Sequence, residues 1–589
     1  MRDRARDCAL LLIVSALLTL PNLGVPSLWD MDEGVNAQTA REMQEAETWV
    51  IPTFNFQLRT AKPVMLYWFQ RLSYAAFGVS EWSARLPSVL AGWLSILLIY
   101  ELGRRMFDRA TGLLAGLVLA SVAQFAVLVH AATPDATLLA FTILTYLFFW
   151  AGHVDGSRKW WSLMAVACGL AFLTKGPIGL ILPAMVVLLY FAWNRELSRL
   201  FDRRLVLAAV IFLLVAGPWY ALVASETRGE WLRTFFKREN VARFLNPRDK
   251  HAGSLGYYLV IVPVMFAPWS AFLLPLVWYG IQGAKRPGSS FWASVKSVWR
   301  LLWSKISGTQ PRTLDLNPSS LIPHPSSLPV VGELTNRIRA HRFLLCWVAV
   351  YLAFFTIAAT KLPNYILPIY PAMAVLTARF LVGWREGLFV VPRWMMAATV
   401  GGMVIVGAGC IGGVALAARV FPGLGVWVVL GLIPLAAAMW MGICLRQGNR
   451  GGLIVAVTVA SVVFIGLTVT FPPAAIEPQK APKELVRMSG VDNPNRDLRV
   501  GSFEWLLPSV VYYSGRKVEV LASKDKVAEF LAVPTPGYVF ISESNWNNAV
   551  AAKVTVPHRI IARHYDFLER GNILVVTNDT TGDMAASQR

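Results

Sequence analysis

Charge is scarce in this 589-residue chain: 15% of its residues are Asp, Glu, Lys or Arg, 56% are hydrophobic, and the mean hydropathy is +0.51. That balance excludes an ordinary soluble domain and predicts an α-helical polytopic membrane protein. Cysteine is sparse too. Cys8, Cys168, Cys346, Cys410 and Cys444 all fall within apolar runs and none forms a CxxC pair, so neither a disulfide framework nor a zinc cluster is indicated. Carboxylates are outnumbered, 35 against 55 Lys and Arg, for a formal charge of +20. No basic stripe lies on a soluble module, so the excess reads as basic inner loops of a membrane protein and not as a nucleic-acid surface. A small-residue cleavage site is missing behind the first apolar run, Cys8 to Leu20; this is expected to be a retained helix with Arg2, Arg4 and Arg6 held inside.

Apolar runs long enough to cross a bilayer stand at 8–25, 82–103, 111–129, 134–151, 160–174, 176–194, 205–224, 255–281, 343–360, 363–383, 394–417, 424–445 and 452–471, which predicts about thirteen helices. With the N-terminus inside, the inner connections are Arg104 to Arg109, Arg158-Lys159, Arg195 to Arg204, Lys285 to Arg342, Arg385 to Arg393 and Arg446 to Arg450. Each is basic, as the positive-inside rule requires. Residues 285–342, with the Ser/Pro-rich stretch NPSSLIPHPSSLPVV, read as a flexible cytoplasmic linker inside a membrane domain of residues 1–471. An odd number of spans leaves 472–589 on the outer face, where the composition becomes that of a soluble module. Short strands at 498–503, 517–521, 538–542, 560–565 and 572–577 and helices at 508–514, 523–532 and 545–552 predict a small α/β domain. It carries no glycine-rich phosphate loop, nucleophile elbow or metal-ligand spacing.

Two outer loops, 26–81 and 225–254, hold the candidate chemistry. The first packs Asp30, Asp32 and Glu33 into four positions and continues to Lys62, Pro63, Tyr67 and Trp68. Carboxylates this close to a bilayer are costly unless water, a cation or a substrate meets them. Asp135 heads a later helix, where capping alone would justify an acid. Lys175 and Lys361 sit in tight turns beside Gly or Pro on the same predicted face. One lysine there would merely snorkel, but two point to a shared anionic ligand. The second loop breaks the positive-inside rule with Arg228, Arg233, Lys237, Arg238, Arg243, Arg248 and Lys250, followed by His251. It reads either as an amphipathic helix resting on headgroups, with Trp231, Phe235 and Phe236 dipped into the interface, or as a cationic wall for phosphate. Carboxylates, cations and aromatics (Tyr67, Tyr365, His251) on one face suit a substrate anionic at one end and sugar-like at the other. Glycosyl transfer from a lipid phosphate needs these parts and no redox cofactor. A secondary transporter is the alternative, but it would concentrate charge near the midplane in broken helices.

Four motifs, WDMDEG at 29–34, AKPVMLYW at 61–68, LTKGPIGL at 173–180 and TKLPNYILPIYP at 360–371, resemble those of the polytopic glycosyltransferases of the aminoarabinose transferase and protein O-mannosyltransferase superfamily, the GT-C type. The resemblance covers most of the membrane region and implies a polyprenyl-phosphate sugar donor and a lipid, glycan or protein acceptor. It further implies that Asp32 is the principal catalytic acid with Glu33 its neighbour, that Asp135 is the second acidic residue, that Lys62 binds the donor phosphate and that Tyr365 lines the cavity. Arg243 stands where relatives carry a basic-aromatic pair. The chain departs from the pattern at Ala61, where an acidic residue often precedes the lysine, and at Val35-Asn36, where Arg-Tyr often follows the acidic pair. Both departures leave the sugar and any divalent metal open.

Overall fold

The computed structural model describes residues 2–246, 253–285 and 328–580, with no side chains described for 328–333. A helix or bent helix pair occupies each of the thirteen apolar runs. Among the described residues, eight are long and apolar enough to cross a membrane, and ten if two bent pairs, Arg109–Ala120 with Ala123–Val129 and Tyr257–Met265 with Trp269–Gly283, each count as one span. Three further helices, Arg2–Thr19, Arg158–Lys175 and Ile178–Asn194, fill the remaining runs. The first is shortened as an apolar segment by Arg2, Asp3, Arg4, Arg6 and Asp7.

Residues Pro363–Arg385 form the buried axis of the bundle. Around it Tyr146, Phe149, Tyr190, Phe343 and Trp347 interlock through edge-on and tilted ring contacts. Aromatic edges against faces supply packing that lipid tails cannot match by apolarity alone.

Two expectations about loops are corrected, and a third segment takes the helical form that one of its two readings required. The stretch 26–81 folds into helices Glu33–Glu45 and Met65–Phe77 with a two-stranded hairpin, β1 (Thr53–Phe54) and β2 (Gln57–Leu58), between them. Residues 230–245 are continuously helical. The linker expected over 285–342 ends too late, because a helix begins at Leu328 and runs to Ile357. From Glu333 to Arg342 there is no Pro or Gly to stop a helix. Its Arg342 donates to the Ala284 carbonyl at 3.0 Å and to Asn194 Oδ1 at 2.9 Å. The rest of that linker lies outside the described residues.

The C-terminal domain has five strands close to those expected: β3 (Arg499–Phe503), β4 (Val518–Val520), β5 (Gly537–Ser542), β6 (Arg559–Asp566) and β7 (Gly571–Thr577), in the order β4-β3-β5-β7-β6. β4, β3 and β5 run parallel, while β7 pairs antiparallel with both β5 and β6. The central β5 is buried along its whole length, and its sequence GYVFIS is accordingly near-continuously apolar.

Candidate functional site

The site forms where five chain segments converge at one end of the bundle. Asp32 occupies the cap position of helix Glu33–Glu45, yet its carboxylate makes no capping hydrogen bond. Asp32 keeps an exposed face, yet the protein packed around it, and then the nearby Asp135, push its pKa above the usual aspartate range, and the positive charges of Lys62 and Lys175 oppose that rise. Glu33, one residue on, has a different life. Its two oxygens accept from Arg85 Nε at 2.8 Å and Nη2 at 2.7 Å, and from the backbone N–H groups of Trp29 at 2.8 Å and Ala132 at 2.7 Å. Burial would raise its pKa, but the Arg85 guanidinium outweighs that and holds it low. With every strong acceptor direction taken, Glu33 ties the first acidic segment to the helix Glu81–Met106, and the catalytic role expected for it is corrected to a structural one.

Asp135, in the first turn of Pro134–Asp155, accepts from Lys175 Nζ at 2.6 Å and from Asn364 Nδ2 at 3.3 Å. Lys175 ends its helix at a turn that only glycine can follow. Gly176 has φ +70°, and a Cβ there would lie 2.4 Å from the Phe235 ring. The Lys175 ammonium also sits 5.5 Å from the Tyr365 ring centroid.

Lys62 is strongly perturbed by its surroundings. Burial, then the like charges of Lys175 and Arg243, pull its pKa down to about 7, and among the described residues no carboxylate comes within ion-pair distance of it. Arg243 reaches Glu239 at 3.6 Å. Lys62, Lys175, Arg243 and Tyr365 share the wall of a cavity of about 390 Å³, continued by Phe235, Phe236, Phe244, Phe354 and Phe355. A cationic mouth therefore opens onto an apolar channel, the shape of an anionic lipid headgroup and its chain. Ala61, beside Lys62, lines the cavity and offers no ligand atom. No group of three or more His, Cys, Asp or Glu side chains that could hold a metal occurs among the described residues.

Not every expected residue joins this set. Lys361 points its ammonium at the carbonyls of Thr356 and Ala358, both at 2.7 Å, and so caps a helix end in place of binding an anion. Tyr67 is fully buried and accepts from Arg59 Nε at 3.0 Å, so it steadies Arg59 and does not face a substrate. Lys250 and His251 lie outside the described residues. The amphipathic-helix reading dips Trp231 and Phe235 into the membrane interface; instead they stack on each other with centroids 4.6 Å apart, buried against Trp219 and Tyr220. The cationic-wall reading of this segment holds for Arg243 alone among its described residues, since Arg233, Lys237 and Arg238 are exposed. Arg59, Arg85 and Asn364 escaped the sequence reading. Asn364 lies within the TKLPNYILPIYP motif, whereas Arg85 stands near the start of an apolar run with no local signal of its role.

The fold around this cavity is one already seen in a solved structure. It superposes on the crystal structure of ArnT from Cupriavidus metallidurans bound to undecaprenyl phosphate with a TM-score of 0.74 at 22% identity, covering 98% of each chain. Residues 61–221 match the family described as dolichyl-phosphate-mannose-protein mannosyltransferase. More particularly, the chain is 31% identical over 385 residues to the undecaprenyl phosphate-alpha-4-amino-4-deoxy-L-arabinose arabinosyl transferase of Pseudomonas aeruginosa, which is 64% of this chain and 60% of that protein's length. To the protein of the same description from Pectobacterium carotovorum it is 28% identical over 491 residues, 81% of this chain and 78% of that one. These likenesses bear out the family resemblance carried by the four motifs.

Proposed function

We propose that the protein transfers a sugar from a polyprenyl-phosphate donor, of the undecaprenyl type that its relatives' names specify, to an acceptor in the cell envelope. The observation that carries this reading is Lys62: a cation held at a cost in a cavity whose far wall is apolar, beside two carboxylates on separate elements. In this reading the donor phosphate sits against Lys62 and Arg243, with its isoprenoid chain along Phe235, Phe244 and Phe354. The acceptor oxygen attacks the anomeric carbon as the bond from that carbon to the phosphate oxygen breaks. The bonding pair leaves on the phosphate, where Lys62 stabilises it. One in-line displacement inverts the anomeric configuration. An acceptor hydroxyl gives its proton to Asp32; a phosphate acceptor brings no proton, and Asp32 then orients it. Asp135 holds Lys175 in place for the same anion. The cavity then faces the outer side of the inner membrane, a reading supported by the basic inner connections.

A transporter of a lipid-linked or anionic substrate is disfavoured by where the charges lie. They pair off at helix ends, as Arg85 does with Glu33 and Arg379 with Asp108. The deciding experiment uses the purified full chain in sealed proteoliposomes with undecaprenyl-phosphate-linked sugars, read by mass spectrometry of inner- and outer-leaflet lipid and acceptor fractions, alongside envelope lipids from cells with and without the gene. Sugar transfer supports the reading. Movement of intact donor across the bilayer with no transfer would overturn it.

A further inference from the structure

Away from the cavity, the densest polar contacts of the first acidic segment are with the C-terminal domain. The Ser509 backbone N–H donates to Asp30 Oδ1 at 2.8 Å, and its hydroxyl donates to Asp30 Oδ2 at 2.6 Å. The Leu28 N–H donates to Tyr513 Oη at 2.8 Å, and the N–H and hydroxyl of Ser27 donate to Glu477 Oε2 at 3.0 and 3.1 Å. Lys480 donates to the Ser27 carbonyl at 2.7 Å and lies over the Trp29 ring. Backbones close up as well: a Cβ on Gly34 would stand 2.9 Å from the Ser509 nitrogen. The segment carrying Asp32 is thus gripped from one side through Glu33 by Arg85 and from the other through Asp30 by Ser509. Between the two grips Met31 adopts φ +72°, a conformation that persists for such a residue only where its surroundings over-determine it. Neither Asp30 nor Ser509 lines the cavity.

We infer that the C-terminal domain is a positioning element of the site, its Ser509 fixing Asp30 and thereby setting where Asp32, two residues on, presents its carboxylate. The inference rests on the glycosyl-transfer reading for what Asp32 does, but the clamp itself can be measured without it. Burial pushes the Asp30 pKa up to about 6 against the two Ser509 hydrogen bonds, with Lys480 and Asp566 the charged groups facing it, so the held segment favours the protonated carboxyl.

The test compares the full chain in nanodiscs with Ser509→Ala, Ser509→Thr and Asp30→Asn, reading hydrogen–deuterium exchange of the amides of residues 29–36 and, in parallel, sugar-transfer kinetics. Loss of one hydrogen bond to a half-buried carboxyl raises exchange in Ser509→Ala by about tenfold and lowers kcat by about tenfold, with the donor KM within about twofold because Lys62 is untouched. Threonine restores both. Because Asp30 binds its proton more tightly in the held segment than in an opened one, the wild-type chain tightens at 29–36 as pH falls through about 6 and opens more readily above it, and Asp30→Asn, which can still bond to Ser509 but cannot titrate, loses that step. Exchange at 29–36 equal to wild type in Ser509→Ala overturns the inference, as does raised exchange with unchanged kcat. Absence of any sugar transfer by the wild-type chain sinks the glycosyl-transfer reading instead, and the exchange measurement then still decides whether Ser509 holds the segment.

Discussion

Both ends of the helix bundle are basic, but they treat their charges in opposite ways. At the end away from the cavity the carboxylates are saturated by arginine: Asp7 accepts from Arg109 and Tyr100, Glu101 gathers Arg4, Arg104 and Arg105, Asp108 meets Arg379 at 2.5 Å, and Glu196 holds Arg199 and Arg339. At the cavity end Lys62 has no carboxylate partner among the described residues and Asp32 makes no capping hydrogen bond, although each is crowded enough for burial to act on its charge. Closed ion pairs are what a fold needs to tolerate charge near a bilayer. Charges left open at a cost are what a ligand needs. The lesson is drawn most sharply by neighbours in sequence: Glu33 is closed, Asp32 is open.

The largest expected effect breaks that contrast at Asp32. Asp32→Asn should lower sugar transfer by about 10²- to 10⁴-fold with the protein still folded, measured as single-turnover transfer from the lipid donor; retained turnover would remove Asp32 from the chemistry. Arg85→Met attacks the closed neighbour. It strands Glu33 as a buried unpaired carboxylate and should cost about 3–5 kcal/mol, seen as a lower midpoint in denaturant or heat. Lys62→Met should weaken binding of undecaprenyl phosphate by about tenfold to a hundredfold. The sign of its pH dependence follows from the lowered pKa. Lys62 is cationic below about 7 and loses its charge as pH rises through that value, so wild-type affinity should fall by up to about tenfold per pH unit above it. In Lys62→Met that slope should vanish. The smallest effects belong to the closed lysine and the far end: Lys361→Met and Glu101→Gln should each change phosphate-lipid binding by no more than about twofold, by equilibrium binding in nanodiscs. A large loss in Lys361→Met would restore it to the anion site.

Much of the fold was legible because apolar length and strand alternation are local properties. The helices and all five strands of the C-terminal sheet fell near the places that hydropathy and turn residues indicate. The loops were less legible. Residues 33–45 are a helix buried on almost every side, and a polar sequence such as EGVNAQTAREMQE gives no sign that a second domain will cover it. At the site, Asp32, Asp135, Lys62, Lys175, Arg243 and Tyr365 were picked out and do converge. Glu33 and Lys361 were picked out by the same signals and do not join them, since residue type and spacing are blind to whether a partner waits in space. Arg85 shows the converse, being unremarkable in sequence and decisive in position.

By itself, then, the sequence determined that this is a many-helix membrane protein with a small α/β domain, because hydrophobic burial is written in composition and period. Only the tertiary structure decided which charges are spent on one another and which are left for a ligand. That division depends on which side chains meet across long stretches of chain, as Arg85 meets Glu33 from 52 residues away and Ser509 meets Asp30 from 479, and no local pattern encodes such a meeting.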